Sequence, residues 1–208
     1  MFDKLKKKIA SKLLGGDKEN KVEYVPFFLK VGSSFNISTT TPIVYDTELK
    51  NAIKYSVTEI GKFVIGDCTG WVFIVGDNHF LEVITKGEEV QQCRLYYKVD
   101  TITPTTEEGW NDILGPEGMM RAYNFEHGGN TYERLDSYAD PEPDFVDPVK
   151  YAVHYDNHTE HIQCMCFGRW LNEEIGVAEY ALVYATETTN SADVGIFIGI
   201  DVSPMEID

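Results

Sequence analysis

The chain has 208 residues, 43% hydrophobic and 25% charged, and a chain of this length buries roughly 70% of its unfolded surface without covalent staples. Disordered and miniprotein classes are thereby excluded. A formal charge of −16 also argues against general binding to phosphate backbones, which relies on clustered Lys and Arg, so no nucleic-acid partner is expected.

The basic charge is concentrated at the start. Residues 1–16 carry five Lys and one Asp, whereas residues 136–208 carry two basic and fifteen acidic groups. On a helix, Phe2, Leu5, Ile9 and Leu13 fall along one stripe, with Lys4, Lys7, Lys8 and Lys12 off it. Gly15-Gly16 supplies a stop. So short a helix is marginal alone in water, and three surfaces compete for its stripe: the chain's own body, the headgroup region of an anionic membrane, or a partner helix. Lys12 interrupts the stretch Ile9 to Ser11, so this segment is not read as a signal peptide.

The body from 17 to 135 reads as strands: short segments rich in β-branched and aromatic residues, punctuated by Gly, Asp and Asn. Val22–Lys30 is expected as an edge strand, because Pro26 cannot serve a central one. A four-strand meander is expected over Lys62–Val99, with turns at Asp67-Cys68-Thr69-Gly70, Gly76-Asp77-Asn78 and Lys86-Gly87-Glu88-Glu89. One helix is expected near 105–115: Thr105-Thr106 cap it, Glu107 and Glu108 suit its positive end, and Gly115-Pro116 stop it. Its Trp110, Ile113 and Leu114 would lid the sheet. Met119–Phe125 and Asn130–Leu135 then read as a hairpin across Glu126-His127-Gly128-Gly129.

Asp136–Pro148 holds five carboxylates, three prolines and no basic residue, which predicts a solvated connection at 136–148 between two packed parts. It lacks the glycine and terminal Glu of a calcium-binding EF-hand loop. Over 149–208, four strands are expected: Val149–Tyr155, His161–Leu171, Val177–Thr186 and Val194–Val202. The one-signed charge of 136–208 suits a cationic protein surface, or solubility alone.

His154, His158, His161, Cys164 and Cys166 bring zinc-type ligand atoms into one stretch. Alternation along a strand, however, sends His161 and Cys164 to opposite faces, and buried free Cys usually acts as a small hydrophobe. No metal and no cofactor is expected. With Cys68 and Cys93 these cysteines are too few and irregular for a disulfide framework. Trp71, Trp110, Trp170, Tyr96 and Tyr97 fill a sheet core or line a ligand pocket, the core being favoured. The sequence contains no GxSxG elbow, GxxxxGK[ST] loop, HExxH or GxGxxG.

The order of His79-Phe-Leu-Glu-Val83, Thr103-Pro-Thr-Thr-Glu-Glu-Gly-Trp-Asn-Asp-Ile-Leu-Gly115, Thr131-Tyr-Glu-Arg134, Ala178-Glu-Tyr-Ala-Leu-Val183 and Gly199-Ile-Asp-Val-Ser203 resembles the YjfK-like bacterial family, over most of the chain beyond Val57. That family has no established activity, so no site residue carries over. Its genes often neighbour membrane-stress coat proteins of the phage-shock type, which implies an accessory protein at the cytoplasmic membrane face.

The sequence therefore predicts an α+β protein, predominantly antiparallel β-sheet with one or two short helices. The expected role is a non-enzymatic cytoplasmic adaptor, peripheral at the inner membrane, touching a membrane surface or membrane-associated partner through residues 1–14. The alternatives are a metal-dependent enzyme or sensor using the cluster at 154–166, and a small-ligand-binding module.

Overall fold

Alternation and tight turns build most of the molecule. In the computed structural model, which describes residues 24–37, 54–135, 146–174, 176–187 and 192–207, Ser34–Asn36 (β1) and Lys54–Ser56 (β2) pair as a small antiparallel sheet. A meander follows: Glu59–Ile65 (β3), Cys68–Ile74 (β4), His79–Lys86 (β5) and Glu89–Ile102 (β6), each antiparallel to the next. Gly66 and Gly87 open its two-residue turns with φ of 58° and 62°, a left-handed backbone that costs glycine little.

The first of these turns is Gly66-Asp67, not the expected Asp67–Gly70. Gly70 lies inside β4, where a Cβ would stand 2.1 Å from the Phe63 ring; it is a space for an aromatic, not a turn residue. Val22–Lys30 also departs from expectation. Pro26–Phe28 forms a 3₁₀ turn, with Phe27 and Phe28 at φ of 57° and 53°, so no edge strand runs through its described residues, 24–30.

The helix Glu107–Leu114 (α1) begins where Thr106 Oγ1 accepts a hydrogen bond from the Gly109 amide at 3.1 Å, and ends before Gly115. Met119–Arg121 is a 3₁₀ turn. The hairpin Asn124–His127 (β7) and Asn130–Arg134 (β8) follows, its turn Gly128-Gly129 positive in φ at both residues. The last strands are Val149–His154 (β9), Thr159–Asn172 (β10), Val177–Glu187 (β11) and Ala192–Asp201 (β12).

Eight of these strands close on themselves in the order β11-β12-β6-β5-β4-β3-β9-β10, with β10 pairing back to β11. The closing contacts are long-range: Lys62 of β3 opposes His154 of β9, and β12 lies along β6 from Val194↔Ile102 to Asp201↔Arg94. Strands from both sides of residues 136–148 thus share one barrel. The β7–β8 hairpin continues the sheet past β9, setting Glu133 and Arg134 against Gly168 and Phe167.

Two apolar clusters coat the barrel's outside. One joins Trp71, Phe73, Leu81, Val83, Cys93 and Leu95 to Leu29, Phe35 and Tyr55, so the N-terminal turn and the small sheet cover the meander. The other joins Met165, Phe167, Val183 and Ile196 to Ile113 of α1 and to Phe125 and Tyr132 of β7–β8. A third lines the inside. The class is therefore all-β, a closed eight-stranded antiparallel barrel with extra strands, and the α+β expectation is corrected. The single α-helix among the described residues has only eight residues and acts as a cover on the outer face; closure, which leaves no strand edge to be capped by helices, organises the rest. Among the described residues no helix is long and apolar enough to cross a membrane.

Candidate functional site

An eight-stranded barrel has an interior that side chains can just fill or that can admit one small molecule. Here the two ends differ. At the end where β6 begins and β12 finishes, the lumen is sealed by polar groups that satisfy one another. Arg94 Nε donates to Asp201 Oδ1 at 3.0 Å, its guanidinium lies 3.6 Å from the centre of the Tyr180 ring, and the Tyr180 hydroxyl donates to Asp201 Oδ2. Burial pushes the Tyr180 hydroxyl up to about 12, so it stays a donor. Phe63 stacks on Tyr151 at 4.4 Å and Phe80 on Tyr96 at 5.0 Å above this plug.

The opposite end holds a cavity of about 370 Å³, within the range of small-ligand sites. Alternation delivers its wall. Val72 and Ile74 come from β4, Phe80 and Glu82 from β5, Tyr151 from β9, Leu182 and Tyr184 from β11, and Phe197 from β12. The Phe197 ring meets Phe80 edge-on at 5.1 Å and Tyr184 at 6.0 Å. Gly195 makes room: a Cβ there would lie 2.5 Å from the Phe197 ring.

Glu82 is the exceptional residue in this wall. It is 9% exposed, and Gln92 Nε2 donates to its Oε2 at 3.2 Å. Burial pushes its carboxyl up to about 7, against the opposing pull of Arg94 and of the Gln92 hydrogen bond. Around it, burial also raises the hydroxyls of Tyr96, Tyr151 and Tyr184 well above the usual tyrosine range, leaving them neutral donors. The Tyr184 hydroxyl donates to Glu160 Oε2 at 3.1 Å near the mouth.

The residues expected from sequence fare differently. Phe2, Lys4, Leu5, Lys7, Lys8, Ile9, Lys12 and Leu13 lie outside the described residues, as do residues 136–145 of the acidic connection. The His/Cys cluster is dispersed. His154 Nδ1 lies 3.1 Å from Thr159 Oγ1, while exposed His161 and buried Cys164 occupy opposite faces of β10. Cys164 and Cys166 enter the lumen, within 3.6 Å of the Tyr151 hydroxyl and 3.8 Å of Arg94 Nη1 respectively. His158 stands at the rim, 3.5 Å from Glu59 and 3.6 Å from Glu160, stacked on Tyr155 at 4.5 Å. Among the described residues no group of three or more His, Cys, Asp or Glu is placed to hold a metal ion.

Of the aromatics singled out in sequence, Tyr96 enters the lumen, Trp71 joins the outer core and Trp170 is exposed. Sequence reasoning missed Glu82, Tyr151, Tyr184 and Phe197. Glu82 did leave a signal: in His79-Phe-Leu-Glu-Val-Ile84 it is a single acid at two-residue spacing from Phe80 and Ile84, the signature of a carboxylate aimed at an apolar face.

A family model described as "Protein of unknown function (DUF2491)" matches residues 1–208. No curated protein and no solved structure matches the chain.

Proposed function

We propose, from the premise that the chain belongs to the DUF2491 family of proteins of unknown function, that it is a non-enzymatic binding protein whose barrel takes up one small organic molecule. The observation that carries this reading is the half-filled lumen: one end sealed by Arg94, Tyr180 and Asp201, the other holding a cavity of about 370 Å³ lined by aromatic rings and one buried carboxylate.

Thermal-shift screening of the full chain against small aromatic amines, aromatic carboxylates and neutral aromatics tests it. At least one class is expected to raise the Tm. Ile74→Trp, at a half-buried position in the cavity wall, is expected to keep the β circular dichroism and weaken that ligand by about tenfold or more, as a bulky ring takes its place. A chain that answers to no member of the panel, or a Trp variant that binds as well as the parent, sinks the reading.

The likeness to the YjfK-like family, with its membrane-stress gene neighbours, supports a second and compatible role at a membrane surface. Its specific basis is the stripe Phe2, Leu5, Ile9, Leu13 flanked by Lys. The full chain is expected to float with anionic liposomes, and the double variant Leu5→Asp, Ile9→Asp to stay at the bottom of the gradient. Equal flotation of the two would assign the segment to another surface.

A further inference from the structure

We infer that the cavity selects a small organic cation, a protonated or quaternary amine whose charged group sits against Glu82 and whose apolar part lies among Phe80, Tyr184 and Phe197. The inference rests on the binding reading above and specifies its ligand class.

The charges around the cavity are lopsided. Glu59, Asp77, Glu82, Glu160 and Asp193 line it, with Lys98 as the single lysine or arginine among the described lining residues. Lys98 is engaged over the Phe197 ring, its Nζ 5.8 Å from the ring centre. The His79 ring leans the other way, toward Tyr55 and Tyr97 at 6.0 and 5.0 Å. Arg94, though it opposes Glu82 directly in the β5–β6 register, turns to the sealed end and pairs with Asp201 and Tyr180. Arg94 therefore acts on Glu82 only at a distance, and among the described residues no cation forms an ion pair with it. A carboxylate so deeply buried is costly unless a positive group joins it.

The walls suit the same class of ligand. The faces of aromatic rings attract cations, and the attraction strengthens where water is excluded. An anion would meet five acids. A neutral molecule would enjoy the rings but leave Glu82 uncompensated. The chain's charge of −16 adds a field that draws cations toward the mouth.

The pH dependence follows from the groups that face Glu82. Val72 of β4, its register partner, is apolar; β6 presents Gln92, Arg94 and Tyr96; Tyr151 of β9 reaches it across the lumen. Both tyrosines stay neutral through the physiological range and Arg94 stays charged, so Glu82 alone among them changes its state there. With its carboxyl held up to about 7, a permanently charged ligand should bind about tenfold more tightly at pH 8 than at pH 6.

The test measures binding of phenyltrimethylammonium, its uncharged isostere tert-butylbenzene and the anion benzoate to the full chain, by ligand-detected NMR. The cation is expected to bind about tenfold or more tighter than the isostere. Glu82→Gln is expected to cut the cation's affinity about tenfold and to leave the isostere unchanged. Equal binding of cation and isostere, or a preference for benzoate, overturns cation selectivity while the ligand cavity stands. Binding of none of the three also overturns it, and the cavity reading then falls only if the wider panel fails too. Should the Gln variant not fold, the unmodified chain decides: an affinity for phenyltrimethylammonium that is flat from pH 6 to pH 8 overturns the inference.

Discussion

Glu82→Gln is expected to stabilise the folded chain at pH 8 by about 2 to 3 kcal/mol and to have little effect at pH 4.5. The carboxyl sits at about 7 in the folded state against an ordinary value of 4.5, because burial penalises its charged form. Between those two values the folded state holds a proton that the unfolded state has released. The unfolding free energy therefore falls as pH rises from about 4.5 to about 7, by roughly 3 kcal/mol from this group, and stays low above that. Gln keeps the shape and still accepts from Gln92, but has no charge to bury. Urea titrations of both proteins at pH 4.5, 6 and 8 isolate the effect, because every other carboxyl is common to the two. A stability difference that does not change with pH would show that Glu82 is solvated in the folded chain. The same substitution is expected to weaken cation binding, so a residue that costs stability would be the one that supplies selectivity.

Arg169→Met is expected to destabilise the chain by about 3 to 5 kcal/mol, the range for breaking a buried ion pair from one side. Glu179, on the outward face of β11, is 0% exposed. Its Oε1 accepts from Arg169 Nε at 2.8 Å and from the Tyr132 hydroxyl at 2.7 Å, while Oε2 has no hydrogen-bond partner among the described residues. Arg169 also donates to Asn130 Oδ1 at 2.7 Å. Together these bonds tie the β7–β8 hairpin to the barrel wall. Removing the guanidinium leaves a buried carboxylate with only Tyr132 to satisfy it. Adding Glu179→Met to Arg169→Met is expected to return most of the loss, since two apolar side chains bury there without a stranded charge. A single variant within about 1 kcal/mol of the parent, or a double variant no better than the single, would refute this account of the network.

What the sequence determined by itself was local. Thr106 with Glu107 and Glu108 announced a helix start, and Gly128-Gly129 announced a tight hairpin, because caps and positive-φ turns depend on neighbouring residues alone. The strands of the meander were legible for the same reason, though Gly70 misplaced one turn: whether a glycine turns the chain or shelters a ring depends on Phe63, which lies across the hairpin. The cysteine and histidine positions could be sorted onto faces of β10 by alternation, which placed His161 opposite Cys164. Tertiary structure decided everything that required knowing which edge meets which. Any strand edge offers the same row of N–H and C=O groups, so nothing in Lys62 or His154 declares that they oppose one another and bring β3 to β9. Closure then makes an inside. Only on closure do Glu82, Tyr151, Tyr184 and Phe197, drawn from four strands between residues 82 and 197, converge on one cavity, so that Tyr151 is brought across the lumen to Glu82, beside Val72, Gln92 and Arg94 of the adjacent strands.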